Sequence, residues 1–382
     1  MSKNMKMFLR GNVYDAALKR IRWVFDEFND NVHVSFSGGK DSTVVMELAA
    51  KVARERGKKL KVFWLDQECE FEGTVDYVRS LKERPDIDFY WFQIPFRLFN
   101  ATDHMNQWLN VWGEGEEWVR DKEPDSIQEN TFGVDRFTDV LTAINEMFGG
   151  ASLTGLRTEE SPSRRLGLTT SCSYKWVTWG SKTGRKNHRL FHPIYDWKFG
   201  DIWKAIYDGD DPDNPGTASW VYNRMYDIQH RYGVPIRNMR VSNYHHETAI
   251  HSLFYLQEAE PETWEKAVKR ISGINTAGHL GREDFFVKEL PFMFSSWEEY
   301  YSYLVSKLVV ESDQERFVKQ FNDLTWRLPY VDREQIAKAC VQMVLVNDYH
   351  FTKANQFYLT HRDPKKSHEV TRVRKETGVT RK

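Results

Sequence analysis

Residues 37–43, Ser-Gly-Gly-Lys-Asp-Ser-Thr, combine the residue types that bind a phosphate. Gly38 and Gly39 let backbone N–H groups approach a ligand closely, and Lys40 adds a positive charge. Residues 32–36 before this stretch predict a buried strand, and the residues after it have the apolar spacing of a helix. A helix that begins at such a turn points the positive end of its dipole into the turn. The sequence therefore predicts an anion site at this turn, with phosphate as the expected anion.

The order of these residues differs from that of the common Walker phosphate loop. The pattern G-x-x-x-x-G-K-[ST] needs glycine at Val34 and Ser or Thr at Asp41. Ser-Gly-Gly-Lys-Asp-Ser instead resembles the PP-loop of N-type ATP pyrophosphatases and of the phosphoadenosine phosphosulfate (PAPS) reductase family. A strand-to-helix turn without a ligand is the alternative. The resemblance implies that ATP or a related adenine nucleotide binds through Ser37, Gly38, Gly39, Lys40, Asp41, Ser42 and Thr43.

Two acidic residues, Asp66 and Glu68, follow the second predicted strand, residues 59–66. Because the carboxyl ends of neighbouring parallel strands meet at one edge of a sheet, we expect both beside the glycine turn. With Asp41 they form a predicted Mg²⁺ ligand set, since Mg²⁺ takes oxygen ligands, keeps several waters and bridges phosphates. Alternatively, one carboxylate holds a ribose hydroxyl, or these are surface carboxylates at a strand end.

An arginine follows a later predicted strand in "LTGLRTEESPSRR", residues 153–165. A guanidinium can bind phosphate or sulfate through two parallel hydrogen bonds. Residues 157–189 carry eight Lys or Arg against two Glu, a net charge of +6, and a solvated basic loop is the alternative. The stretch resembles the G-x-R-x-x-E-S element of PAPS reductase-like proteins. That resemblance implies nucleotide contacts from Gly155, Arg157 and Arg164.

Two further stretches extend the resemblance. "HPIYDWKFGDIW", residues 192–203, is similar to the P-[IL]-x-D-W-x-x-x-D-[VI]-W segment of the same family. Asp201 can cap the helix that contains Trp203, so part of this motif is expected to be structural. Residues 258–278 are similar to the C-terminal domain of the IbrA-type branch, which includes a co-activator of prophage gene expression. This branch implies a ParB-like protein as partner.

The cysteines argue against sulfonucleotide reduction. Reductases of the family carry a C-terminal Glu-Cys-Gly-x-His nucleophile, and one type adds paired cysteines for an iron–sulfur cluster. Neither pattern occurs here, so the sequence predicts no iron–sulfur cluster. Cys340 lies in an apolar helical run and is expected to be buried, whereas Cys172 lies in a basic segment. Cys172 is therefore the better candidate for a reactive thiol, with a bystander cysteine as the alternative.

The elements that position these residues alternate between strand and helix. The pattern predicts an α/β fold, a parallel doubly wound sheet of the adenine nucleotide alpha hydrolase-like type, with a helical C-terminal domain. Residues 100–135 are irregular and are interpreted as a surface insertion that covers the cleft. The predicted domains are residues 1–210, the PP-loop domain; residues 211–364, the helical domain; and residues 365–382, a basic tail.

Net charge and hydropathy limit the classes of partner that the sequence predicts. A net charge of −1 gives no global steering toward nucleic acid or membrane, so any basic site must be local. No apolar run approaches 18 residues and no signal-peptide pattern is present, which predicts a cytoplasmic protein without a membrane contact. The tail carries seven Lys or Arg against two Glu. It is expected to be mobile and solvated, with a nucleic-acid or protein contact as the alternative.

The resemblance implies an enzyme of the ATP pyrophosphatase type. Such an enzyme would adenylate an unknown acceptor and release pyrophosphate in a sulfur-transfer or nucleic-acid-modification pathway, with catalytic roles for Lys40, Asp41 and Arg157. A nucleotide-binding regulator or co-activator without turnover is the alternative from another class. PAPS reduction is a weaker one, because no family nucleophile remains.

Overall fold

The computed structural model describes residues 11–103, 108–160, 164–166, 168, 174–175, 177–180, 188–210, 220–246, 253–279, 289–308, 310–345, 348 and 351–378. The chain divides into two compact units. Unit 1 comprises residues 1–96 and 122–242, and unit 2 comprises residues 97–121 and 243–382.

A parallel sheet forms the centre of unit 1. Within the described residues it has five strands in the order β3-β2-β1-β6-β7, and every neighbouring pair is parallel. The prediction of a parallel α/β sheet is confirmed. The strands are β1 (Val32–Phe36), β2 (Leu60–Leu65), β3 (Ile87–Phe92), β6 (Gly150–Leu153) and β7 (His188–Phe191).

Helices cover the sheet because its strands are apolar on both faces. Val34, Val62 and Leu153 are fully buried. Helix α2 is buried along most of its length, and its run of small side chains at Ala49 and Ala50 lets it pack closely. The helices described in unit 1 are α1 (Val13–Glu27), α2 (Lys40–Glu55), α3 (Glu72–Lys82), α4 (Phe137–Phe148), α5 (Phe199–Asp208) and α6 (Met225–Arg231).

The predicted boundary at residue 210 falls inside unit 1. The Trp220 amide donates to the Ile206 carbonyl, and the Asn223 amide group donates to Thr74 Oγ1 at 2.8 Å. These contacts hold residues 220–242 against the α/β core. No local sequence pattern marks such a return of the chain, because the partners lie far apart in sequence.

The predicted insertion is also divided between the units. Residues 97–121 belong to unit 2, where the Asn100 side chain donates to the Ser272 carbonyl at 2.9 Å and the Ala101 amide donates to the His245 carbonyl. Val111 and Trp112 are fully buried. The interpretation of residues 97–121 as a surface insertion is therefore wrong, since apolar side chains of this part are buried within unit 2.

Unit 2 is mainly helical, with a small sheet of strands β4 (Phe96–Phe99) and β5 (Trp108–Val111). Helices α10, α11 and α12 enclose a core that includes Phe317, Leu324 and Val341. The helices described in unit 2 are α7 (Leu253–Ala259), α8 (Pro261–Arg270), α9 (Ile274–His279), α10 (Trp297–Ser306), α11 (Glu311–Arg327), α12 (Arg333–Leu345), α13 (Thr352–His361) and α14 (Pro364–Thr377).

The basic tail differs from its prediction as a mobile segment, because most of it forms helix α14. The Asp363 carboxylate caps the helix by accepting from the Lys365 and Lys366 amides. Arg374 donates to the Trp326 carbonyl at 2.7 Å, and its guanidinium lies 3.6 Å from the centroid of the Trp326 ring. Among the described residues, no helix is both long enough and apolar enough to cross a membrane.

Candidate functional site

The glycine loop, residues 37–39, joins the end of β1 to the start of α2. Gly39 is the N-cap and Lys40 is the first helical residue, so the helix dipole points into the loop. Gly38 has φ +74°, and a Cβ there would lie 2.8 Å from Thr74 Cγ2. Both facts require glycine at position 38. Gly39 has φ −87° and would place a Cβ at ordinary contact distances.

Two hydroxyl groups of the predicted site hold the loop in shape. The Ser42 hydroxyl accepts from the Ser37 amide at 3.3 Å and donates to the Gly39 carbonyl at 2.9 Å. The Thr43 hydroxyl also donates to the Gly39 carbonyl, at 3.0 Å, and lies 2.9 Å from the Tyr77 hydroxyl. These side chains therefore bind the loop's own backbone, which fixes the direction of its amides.

Lys40 is buried and already has protein partners. Its amide donates to the Tyr226 hydroxyl at 2.8 Å, and its ammonium donates to the Met239 carbonyl at 3.1 Å. The ammonium also lies 3.1 Å from the Asp41 carboxylate. Burial lowers the pKa of Lys40, and the charge of Asp41 opposes this shift. Residues from 223 to 240 thus cover the loop within unit 1.

Sequence reasoning missed this covering segment, which it had placed in the helical domain. Besides Tyr226 and Met239, it contributes Arg240, whose charge contributes to the lowered pKa of Lys40. The aromatic run "WVYNRMY", residues 220–226, was the available pattern. The run indicates that this segment packs against another part of the protein. Nothing in the run identifies the glycine loop as that part.

The later motif meets the loop directly. A Cβ at Gly155 would lie 2.7 to 2.9 Å from the Asp41 carbonyl carbon and oxygen and from the Ser42 nitrogen, so only glycine fits there. Arg157 has its side chain 4% exposed, and its Nε donates to the Asp41 carboxylate. Its Nη1 lies 3.0 Å from the Glu159 carboxylate. Gly155 and Arg157 of the later motif therefore lie together with Asp41 of the glycine loop.

Asp66 and Glu68 are both fully buried, and the carboxylate of Asp66 is engaged by protein donors. Its Oδ1 accepts from the Glu68 amide at 2.9 Å, and its Oδ2 accepts from Trp91 Nε1 at 2.7 Å and from Gln93 Nε2 at 3.0 Å. Glu68 has φ +63°, an uncommon conformation for a residue other than glycine. Asp66 thus ties the ends of β2 and β3 together.

The predicted Mg²⁺ ligand set is not assembled. In the described part of the chain, no three His, Cys, Asp or Glu side chains are grouped so that they could hold a metal ion. Asp41 instead lies between the Lys40 ammonium and the Arg157 guanidinium, and Asp66 binds neighbouring donors. The sequence placed all three carboxylates at the correct edge of the sheet without revealing these partners.

The Arg164 side chain is 47% exposed and pairs with Glu160, and its charge lies close enough to Asp41 and Arg157 to interact with both, so Arg164 flanks the buried cluster. Most of the basic segment 157–189 and Cys172 fall outside the described residues. Cys340 is buried in the core of unit 2, and burial raises the pKa of its thiol to about 12. A thiol in that state is a poor nucleophile.

The residues 192–203 are structural in this chain. Asp196 forms two hydrogen bonds with the Arg20 guanidinium, at 2.7 and 2.8 Å, and Trp197 is buried with its Nε1 donating to the Val13 carbonyl. The Asp201 carboxylate accepts from the Lys198 amide at 2.7 Å and so caps α5, as its position predicted. This motif fixes α1 and α5, and its Trp197 carbonyl also accepts from Arg157 Nη1 at 3.5 Å.

Comparisons with known proteins cover both parts of the chain. The profile of the phosphoadenosine phosphosulfate reductase domain matches residues 31–215, and that of a domain of unknown function, DUF3440, matches residues 233–374. The uncharacterized protein YbdN of Escherichia coli K12 is 30% identical over 317 residues, covering 78% of this chain and 75% of YbdN.

More distant similarities cover 50% to 59% of the chain. An adenosine 5'-phosphosulfate reductase of Staphylococcus saprophyticus is 23% identical over 194 residues, covering 50% of this chain and 67% of that protein. A phosphate complex of PAPS reductase from Candida auris is 16% identical in sequence. It covers 59% of this chain and 94% of that one, with a TM-score of 0.32.

Proposed function

The chain belongs to the PAPS reductase-like family, and on this premise we propose that it binds ATP or a related adenine nucleotide at the glycine loop. We further propose that it transfers the adenylyl group to an acceptor and releases pyrophosphate. The observation that carries the proposal is the meeting of two sequence motifs at Asp41, the glycine loop and the G-x-R-x-x-E-S element. Lys40, Gly155 and Arg157 all contact this one residue or its backbone.

The position of this cluster in the sheet supports a ligand site. Strand β1 lies between β2 and β6, so the chain leaves β1 toward one side of the sheet and later returns on the other. In open parallel sheets, ligands bind outside the carboxyl ends of the strands at such a switch point. The glycine loop follows β1 and the Gly155 turn follows β6, which places both motifs at this crevice.

The chemistry assigned to these residues is electrostatic. In adenylyl transfer, the acceptor attacks the α-phosphorus and the bond to the bridging oxygen of pyrophosphate breaks. Negative charge then develops on the leaving pyrophosphate, where the loop amides, Lys40 and Arg157 would stabilise it. Lys40 is suited to this role because its buried charge acts where water screens it little.

No step is assigned to Mg²⁺, because Asp41, Asp66 and Glu68 are not grouped as ligands. That a Mg²⁺ ion binds together with the nucleotide phosphates stays a prediction from the sequence. An acceptor in sulfur transfer or nucleic-acid modification and a cytoplasmic location also stay predictions. So do membership of the IbrA-type branch with a ParB-like partner and a nucleic-acid contact through α14.

A regulator that binds a nucleotide without turnover is the second candidate. The contacts of Tyr226 and Met239 with Lys40 favour it, because these groups occupy donors that a phosphate would need. A segment that must move for the nucleotide to enter can report binding to a partner. PAPS reduction through Cys340 has no such support, since that thiol is buried in unit 2.

One experiment tests the proposal and separates the two candidates. We expect Lys40→Ala to weaken ATP binding, measured by calorimetry with the full chain and MgCl₂, by about 1.5–3 kcal/mol, the scale of a charge-assisted hydrogen bond. Lys51→Ala is the matched control, since Lys51 lies on the same helix and contacts Tyr14 and the Asp210 carbonyl.

Release of pyrophosphate from ATP, followed in the same samples with and without a small-molecule extract of cells, distinguishes the enzyme from the regulator. Turnover that depends on Lys40 supports adenylyl transfer, and binding without turnover supports the regulator. If both lysine variants bind ATP as the wild type does, the glycine loop is not the nucleotide site.

A further inference from the structure

The segment that covers the glycine loop ends in an exposed arginine, Arg240. The residues on both sides of Arg240 lie against the loop. The Met239 carbonyl accepts from the Lys40 ammonium at 3.1 Å. The Val241 carbonyl oxygen would lie 3.9 Å from a Cβ at Gly39. The backbone of Arg240 is therefore held beside the glycine loop, within unit 1.

The side chain of Gln229, a buried residue of α6, fixes the backbone of Arg240. Its Nε2 donates to the Arg240 carbonyl at 2.6 Å, and its Oε1 accepts from the Arg240 amide at 3.0 Å. Both bonds use main-chain groups of Arg240. The position of this residue therefore does not depend on its own side chain, and the guanidinium is available to a ligand.

Four cationic side chains lie close together beside the loop: Lys40, Arg157, Arg164 and Arg240. The charge of Arg240 lies close enough to Lys40 and to Arg164 to interact with both. The other three cations pair with carboxylates, namely Asp41 for Lys40 and Arg157 and Glu160 for Arg164. Within the described part of the chain, Arg240 forms no ion pair and no side-chain hydrogen bond.

A guanidinium without a carboxylate partner among other cations favours an anion. Like charges that are held close together repel one another, and an anion between them is attracted by all of them. The planar guanidinium suits phosphate in particular, because two of its N–H groups can bind two oxygens at once. Lys40 is buried and Arg240 is exposed, so the two side chains can contact different phosphates of one ligand.

We propose that Arg240 binds a second phosphate group, next to the one at the glycine loop, and so selects ligands with two or more linked phosphates over monophosphates. This assignment rests on the proposed nucleotide site and names a residue that makes the site specific for a triphosphate. In adenylyl transfer, Arg240 would also stabilise the charge that develops on the leaving pyrophosphate. Arg240 lies outside residues 31–215, the part that matches the reductase profile.

The test compares ATP with AMP, each titrated by calorimetry into the full chain with MgCl₂. Arg240→Gln removes the charge and leaves the main-chain contacts with Gln229 in place. We expect this variant to bind ATP about tenfold more weakly, the value of one charge-assisted hydrogen bond at an exposed site, and AMP with at most about a twofold change. Arg240→Lys keeps the charge without the planar fork and should recover part of the loss.

Arg237→Gln is the matched control. Arg237 is exposed, carries the same charge and lies in the preceding turn, Ile236–Asn238. Its charge, unlike that of Arg240, does not act on Arg164. We expect Arg237→Gln to bind ATP and AMP as the wild type does.

Inorganic tripolyphosphate, titrated in the same series, separates this assignment from the proposed function. It has linked phosphates and no adenosine, so we expect Arg240→Gln to weaken its binding about as much as that of ATP. If the wild type binds tripolyphosphate through Arg240 and does not bind ATP, the phosphate contact is supported and the proposed nucleotide function is wrong.

Four results would overturn the assignment. One is an Arg240→Gln variant that binds ATP and tripolyphosphate as tightly as the wild type. A second is equal weakening by Arg240→Gln and Arg237→Gln, since the general positive charge of the segment would then be the cause. A third is an equal loss for ATP and AMP, because Arg240 would then not contact a second phosphate. The fourth is a wild type that binds neither ATP nor tripolyphosphate, which would leave no anion site for Arg240.

Discussion

Replacing Gly155 by alanine tests whether the turn after β6 and the start of α2 form one unit. The added methyl group would lie 2.7 Å from the Asp41 carbonyl carbon, 2.8 Å from the Ser42 nitrogen and 2.9 Å from the Asp41 carbonyl oxygen. All three are backbone atoms, so no rotation of a side chain can relieve the contact. The turn and the helix must move apart.

The size of the effect follows from these distances. Ordinary contact begins at 3.4 Å, so the shortest separation must grow by 0.7 Å, from 2.7 to 3.4 Å. Overpacking of a buried site costs about 1–3 kcal/mol. The same movement displaces the loop amides and the Arg157 contact with Asp41, and we expect ATP affinity to fall by about tenfold, which is about 1.4 kcal/mol, the value of one weakened hydrogen bond to phosphate.

The assay must report on unit 1 by itself, because a chain with two units need not unfold in a single step. Peptide-resolved hydrogen exchange in native buffer gives the free energy of local opening for α2. Helix α12 of unit 2 is the internal reference. Gly200→Ala is the matched control, because Gly200 lies near the start of α5 with nothing within 4 Å of a Cβ. That change should raise helix stability by up to about 1 kcal/mol.

The prediction is wrong if the α2 amides of the Gly155→Ala variant exchange as slowly as those of the wild type and the variant binds ATP equally well. It also fails if the two glycine variants change α2 protection alike, since substitution of any glycine would then be the cause. Loss of α2 protection with full ATP affinity would separate the two roles. The turn would then stabilise the helix without setting the nucleotide site.

Two more predictions concern buried charge in unit 1. His192 is buried beside Thr154 Oγ1, and burial lowers the pKa of His192 to about 4 from 6.5. Because the unfolded chain then binds the proton first, folded stability is retained above pH 6.5 and should fall by about 3 kcal/mol between pH 6.5 and 4. The measurement is the free energy of opening of the β6 and β7 amides by peptide-resolved hydrogen exchange, and an equally steep fall in His192→Asn would contradict this. Arg157→Lys keeps the charge without the planar fork, so calorimetry should show a clear loss for ATP and almost none for adenosine, and equal losses would mean that Arg157 only holds the fold.

Local patterns were sufficient for the α/β core because its elements are set by local periodicity. The strand predicted at residues 32–36 is β1 itself, and the strand predicted at 59–66 is β2 with its ends shortened. Helix α14 shows the opposite error. Asp363 and Pro364 are the usual N-cap and first residue of a helix, but the density of positive charge favoured a mobile tail.

The chemistry of the site was harder to predict, because its side chains have hydrogen-bond partners that lie far away in the sequence. The sequence located Asp66 correctly at the end of β2. The hydrogen-bond donors of Asp66, however, are Trp91 in β3 and Gln93 directly after β3. A carboxylate that appears free in the sequence is therefore fully engaged by the fold. The same applies to Lys40, whose partners Tyr226 and Met239 lie more than 180 residues away.

The contacts of Lys40 with Tyr226 and Met239 also affect how tightly the glycine loop can bind a nucleotide phosphate. A phosphate that reaches Lys40 exchanges existing hydrogen bonds for its own, and only the difference appears as binding free energy. The exchange favours phosphate to the extent that a charged acceptor is stronger than the neutral Tyr226 hydroxyl and the Met239 carbonyl.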